Sequence, residues 1–158
     1  MTRHQMRENA FLLTFERLFN DAEPEEILAL AKECETVEVD RRVEALFRGI
    51  DDKKELLDNE ISKYLKNWTL SRISRVSLAV MRVAMYEILF VDDMETDIII
   101  SEAVIIAQIY TGKEDVSFIN GVLSSVVKKG TAVSPEESVV PAETFDTPED
   151  AVFPSEEE

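Results

Sequence analysis

The stretch Ile73-Ser74-Arg75-Val76-Ser77-Leu78-Ala79-Val80-Met81-Arg82-Val83-Ala84-Met85-Tyr86-Glu87-Ile88-Leu89-Phe90-Val91 decides the fold of this chain. Ile73, Val76, Val80 and Val83 form one helical stripe, and Leu78, Met81, Met85 and Leu89 form another. A helix with this pattern is apolar nearly all round and has to be surrounded by other elements. Its polar strip is narrow, consisting of Arg72, Arg75, Arg82 and Glu87. Three of those charges fall inside the apolar span, where lipid would make them prohibitive, so the segment reads as a core helix and not as a membrane crossing.

The flanking segments supply the surrounding helices. Residues 2–20 carry an apolar face of Ala10, Leu13, Leu18 and neighbours at steps of three and four. A second helix begins at Pro24, whose missing N–H is harmless in a first turn, and carries Ile27, Leu28 and Leu30. Residues 40–50 (Val43, Leu46, Phe47, Ile50) make a third and Leu56, Leu57, Ile61, Tyr64 and Leu65 a fourth. Residues 97–110 contain Ile98-Ile99-Ile100 and Val104-Ile105-Ile106, which have strand propensity. The length of the segment and the alignment of Ile99, Ala103, Ile106 and Tyr110 favour a helix, with Gly112 expected as its C-terminal cap. The last helix, residues 115–129, is expected to stop at Gly130 with Lys128 and Lys129 near the negative end of its dipole. Before residue 131 there are one proline and four glycines, too few turn residues for a sheet protein. The expected fold class is all-α, with about seven helices forming one domain or two small subdomains that share a core.

The formal net charge is −16. Residues 131–158 hold nine acids and no Lys or Arg, so the rest of the chain carries 24 acids against 17 bases and can still present a local basic patch. Four of the five prolines also lie in this tail. Repeated proline and one-signed charge do not repay the entropy of ordering, which divides the chain into a folded domain, 1–130, and a disordered acidic tail, 131–158. A lone cysteine, Cys34, and the lack of a basic-plus-apolar leader point to a reducing cytoplasm.

Catalytic patterns are missing from the sequence. One histidine, His4, and one cysteine give no zinc-type spacing, so neither a metal nor a cofactor is expected. No glycine-rich phosphate loop, nucleophile elbow or dinucleotide fingerprint occurs. Glu23, Glu25, Glu26, Glu33 and Glu35 fall on faces expected to be solvated. Binding has more to stand on. Arg3 and Arg7 lie one turn apart with His4 beside them, and Phe118 is an aromatic capable of stacking on a base as well as of joining the core. The following Asn120-Gly121 pair costs a helix interior about 1 kcal/mol for the glycine alone, which calls for close packing or a surface that stays flat. The residues by themselves lead to a non-enzymatic all-α binding module.

Four motifs in order, Arg7-Glu8-x-Ala10, Val80-Met81-Arg82-Val83-Ala84-Met85-Tyr86-Glu87, Ile100-Ser101-Glu102-Ala103 and Phe118-Ile119-Asn120-Gly121-Val122-Leu123, resemble those of the NusB transcription antitermination factors over about residues 3–129. The resemblance implies about seven helices in two packed helical subdomains. It implies binding of boxA RNA, often in ribosomal RNA leaders, together with the small-subunit ribosomal protein NusE, and indirect attachment to transcribing RNA polymerase. On this resemblance Arg3, His4 and Arg7 would position phosphates, Phe118 would contact a single-stranded base, and Asp115 would lie at the margin between RNA and partner. Phe15 and Glu87 would face NusE. Gln5 and Met6 stand where the family is often basic or small, so RNA affinity without the partner is expected to be modest. Between Gly112 and Phe118 the chain is one residue shorter than the family pattern, and Ser117 stands where a basic residue is frequent. Family members occur as monomers and homodimers, and the sequence does not choose. Two other readings are open: the RNA-binding module of an rRNA cytosine methyltransferase, and a helical adaptor that binds only protein.

Overall fold

The computed structural model describes residues 1–66, 68–91 and 94–129, with Lys128 and Lys129 described through their backbone only. The tail assigned to disorder from its composition, the stop at Gly130 and the side chains of Lys128 and Lys129 lie outside the described residues. Among the described residues there are seven α-helices: α1 (Arg3–Arg17), α2 (Pro24–Cys34), α3 (Arg41–Asp52), α4 (Lys54–Ser62), α5 (Arg75–Phe90), α6 (Thr96–Tyr110) and α7 (Lys113–Lys129). A single 3-10 turn, Leu70–Arg72, precedes α5, and no strand occurs among the described residues.

The helix starts follow from local chemistry. Thr2 and Gln5 form a reciprocal capping box at α1, satisfying two backbone donors that would otherwise have no partner. Pro24 occupies the first turn of α2. Asp40 caps α3 by accepting from the Val43 N–H at 3.0 Å. Ser74 caps α5 through the Ser77 N–H at 3.0 Å and also donates to the Asp115 carboxylate, 3.0 Å away, which ties the start of α5 to the start of α7. The helix ends are less regular. Glu35 takes the left-handed conformation after α2, with φ 56°. The expected cap at Gly112 is not formed, because Thr111 already leaves α6 in an extended conformation, and Asp115 holds the Thr111 hydroxyl at 2.8 Å.

α5 is the axis of the fold and packs against α1, α3, α4, α6 and α7. Ala79, Val80, Met81, Val83, Ala84 and Met85 are all buried, as the all-round apolar pattern requires. Around this helix α1 packs on α2 and α3, α4 lies mainly against α5, and α6 packs on α7. One continuous apolar cluster, including Phe11, Phe47, Leu57, Met81, Ile99 and Leu123, runs through all seven helices. The strip read as polar on α5 is only partly a surface. Arg82 is buried and forms a bidentate pair with Asp58 of α4 at 2.8 and 2.7 Å, and Glu87 is buried as well. Close backbone packing occurs at Gly49, where a Cβ would strike the Tyr86 side chain. At Gly121 a Cβ would meet nothing within 4 Å, so close packing does not account for the Asn-Gly pair.

Replacing Ser74 with Ala removes the α5 cap and the link to Asp115 together. The expected loss is about 1 kcal/mol, seen as a lower urea midpoint at unchanged slope.

Candidate nucleic-acid interface

At its N-terminal end, α1 presents two different environments. Arg3 is exposed, and His4, half-buried, sets its Nδ1 against a carboxylate oxygen of Glu102 on α6 and its Nε2 4.0 Å from Glu8. Arg7 points inward and is only 3% exposed. Its Nε donates to Glu87 Oε1 at 2.7 Å, its Nη1 lies 3.7 Å from Glu102, and its Nη2 touches the Met94 sulfur. Glu87 is 4% exposed. The positions expected to meet phosphate (Arg7) and partner (Glu87) thus meet each other, because α1 lies along α5 with that flank against it. In place of the single basic face expected from the one-turn spacing, Arg3 is exposed and Arg7 is buried.

The opposite end holds the other residues singled out. Arg7 lies beside Glu87 while Phe19 lies beside Arg75, so α1 runs antiparallel to α5. Asp115 accepts from Thr111 and Ser74 and thereby anchors the first turn of α7, where the helix dipole favours a carboxylate. Phe118 is half-buried, and its ring centroid lies 6.3 Å from that of Trp68 in an edge-on arrangement. Phe15 is half-buried in a row of rings, 6.1 Å from Phe11 and 4.9 Å from Phe19. With Glu87 thirteen residues beyond Ser74 on one straight helix, the two ends stand about 20 Å apart. Arg3 and His4 therefore do not share a pocket with Asp115 and Phe118, and any ligand touching both sets has to be extended.

Between the ends, α6 runs beside α1. Tyr110 donates its phenolic proton to Glu8 and packs its ring 5.1 Å from Phe11. Burial, reinforced by the Glu8 carboxylate, pushes the Tyr110 hydroxyl up to about 12. Ile105, Ile109 and Tyr110 leave exposed area on this side of α6. No cluster of three potential metal ligands and no helix long and apolar enough to cross a membrane occurs among the described residues. Glu23, Glu25, Glu26, Glu33 and Glu35 are exposed, as expected of solvated faces.

The structure also brings Trp68 and Arg72 together beside Phe118 and sets Arg75 over Phe19, groupings that periodicity does not reveal. The available signal was a lone tryptophan just before an arginine-bearing turn, in a linker and not on an amphipathic face.

Among the described residues the chain is a seven-helix all-α protein with charged and aromatic groups gathered at both ends of α5. The NusB family model matches residues 4–128. The transcription antitermination protein NusB of Oceanobacillus iheyensis is 35% identical over 127 residues, covering 80% of this chain and 99% of that protein. The solved structure of T. maritima NusB is 32% identical with a TM-score of 0.73, covering 87% of this chain and 96% of the other. A chain from the crystal structure of the antitermination factors NusB and NusE in complex with dsRNA shares the fold, with a TM-score of 0.71 at 23% identity over 80% of this chain and 96% of that one. The chain belongs to the NusB family.

Two outcomes are expected of the buried groups. Glu87→Ala leaves the Arg7 charge in the core without its nearest counter-ion and should cost about 3 kcal/mol in urea unfolding, whereas Arg7→Met combined with Glu87→Leu should recover most of that loss. In a titration followed at 295 nm, one tyrosine should ionise near pH 12. Because this pKa is raised in the folded state, the stabilisation from Tyr110 should be complete below pH 10 and vanish as pH climbs through 12.

Proposed function

We propose that this chain is a non-catalytic transcription antitermination factor of the cytoplasm. It binds boxA-type single-stranded RNA in nascent transcripts, often ribosomal, as a complex with NusE, and through that complex joins transcribing RNA polymerase. The observation that carries this reading is the family match over residues 4–128, which spans almost all the described helices. A chain of the same fold has been crystallised with NusE and double-stranded RNA, so the fold is able to offer such surfaces.

In this reading Arg3 and His4 hold phosphates at one end of the flank, and Phe118 receives a base at the other, with Asp115 at the margin. Phe15 lies on the partner-facing side. Arg7 and Glu87 act from inside, by fixing how α1 sits on α5, so their substitution weakens binding through the fold.

The test is fluorescence anisotropy of labelled boxA RNA at two salt concentrations, with and without NusE, alongside scrambled and double-stranded RNA. NusE should tighten binding to boxA. Phe118→Ala should weaken it by roughly 5- to 100-fold, as expected for a lost stacking contact. Arg3→Ala should lower the slope of log affinity against log salt by about 0.7, whereas Arg7→Ala should lower affinity and unfolding midpoint together. Equal, weak binding of boxA and scrambled RNA with NusE present would replace this reading with that of a protein-only adaptor.

A further inference from the structure

We infer that Trp68 and Arg72, next to Phe118, form an additional nucleotide position that takes an unpaired RNA base on the indole and the adjoining phosphate at the arginine. The inference rests on the RNA-binding reading above and extends its site by residues outside the motifs that suggested it.

Trp68 lies in the linker between α4 and α5 and is 50% exposed. A tryptophan serving only to pin a linker would gain most by burying its large ring, yet here half of it remains in water. Its ring meets Phe118 edge-on, with an interplanar angle of 68°, so the two aromatics form a stepped ledge. The Arg72 guanidinium lies over the indole, 5.5 Å from the ring centroid. The same pairing recurs nearby, where Arg75 lies 4.6 Å over the ring of Phe19, itself 59% exposed.

The charge environment separates these two arginines from five of the others. Arg7, Arg17, Arg42, Arg48 and Arg82 each pair with a carboxylate. Arg72 and Arg75 form no ion pair among the described residues, in a chain of net charge −16, and rest on exposed aromatic rings instead. The nearby carboxylate of Asp115 is occupied by Ser74 and Thr111. A guanidinium over an exposed ring is the composite that single-stranded nucleic acids use, because every base has a face to stack and every nucleotide a phosphate to neutralise. Neither contact demands a particular base, so the position adds affinity more than sequence choice.

The chain has one tryptophan, which makes the test direct. Indole emission is followed while the same labelled boxA RNA is titrated with NusE present, and an identical titration of Trp68→Phe is subtracted to remove emission from the partner. The expected result is quenching that saturates at the RNA concentration at which anisotropy saturates. Affinity should fall on the order of tenfold for Trp68→Ala and be largely kept by Trp68→Phe, and Arg72→Gln should weaken binding with a shallower salt dependence. RNA binding by anisotropy with unmoved indole emission would overturn the inference while leaving the functional reading intact. A change in emission with NusE alone, and none on adding RNA, would overturn it by assigning the ledge to protein. Failure of any RNA to bind would remove both.

Discussion

A helix apolar on every side still has to carry its charges somewhere, and on α5 two of them are inside. Each is matched by a different neighbour: Arg82 by Asp58 of α4 and Glu87 by Arg7 of α1. Apolar packing alone tolerates rotation and sliding between helices, since the burial term is non-directional. A buried charge does not, because displacement leaves it without a counter-ion in a low-dielectric setting. The two pairs therefore fix the rotational setting of α5 relative to both α4 and α1. The remaining helices close around that arrangement.

This explains why the fold was legible from the sequence and the site only in part. The helix of residues 73–91 announced its burial through its own composition, and the neighbouring helices followed from periodicity and few turn residues. The strand-like run at 98–106 resolved as helix α6 on length. What local pattern could not convey was which charges would be consumed internally. Arg7 and Glu87 are eighty residues apart, so nothing in either segment distinguishes a buried pair from two surface groups. The structure turns the two toward each other. Trp68 was missed for the opposite reason: it stands outside any periodic segment, and the geometry beside Phe118 exists only after α7 folds against the linker.

The two ends of the flank also have different local physics. Around α1 the charges are matched, with His4 and Arg7 both near Glu102 and Tyr110 on Glu8. Around the starts of α5 and α7 the acid is occupied by hydroxyls and the arginines lie on rings. In the proposed role, the first end would respond mainly to ionic strength and the second mainly to the loss of stacking area. An extended ligand would feel both because the helices hold them a fixed distance apart.

The burial of Arg7 bears on how α1 can take part in recognition. A basic N-terminal segment is often a flexible arm that becomes ordered only on its target. Here the fourth residue after Arg3 is sealed in the core and the first turn is closed by the Thr2 capping box, so the segment is a rigid ledge before any ligand arrives. The entropy of ordering α1 is settled at folding, and association would have to immobilise only the ligand. A ledge of this kind favours ligands that conform to its spacing and gives little to those that would need the protein to adapt.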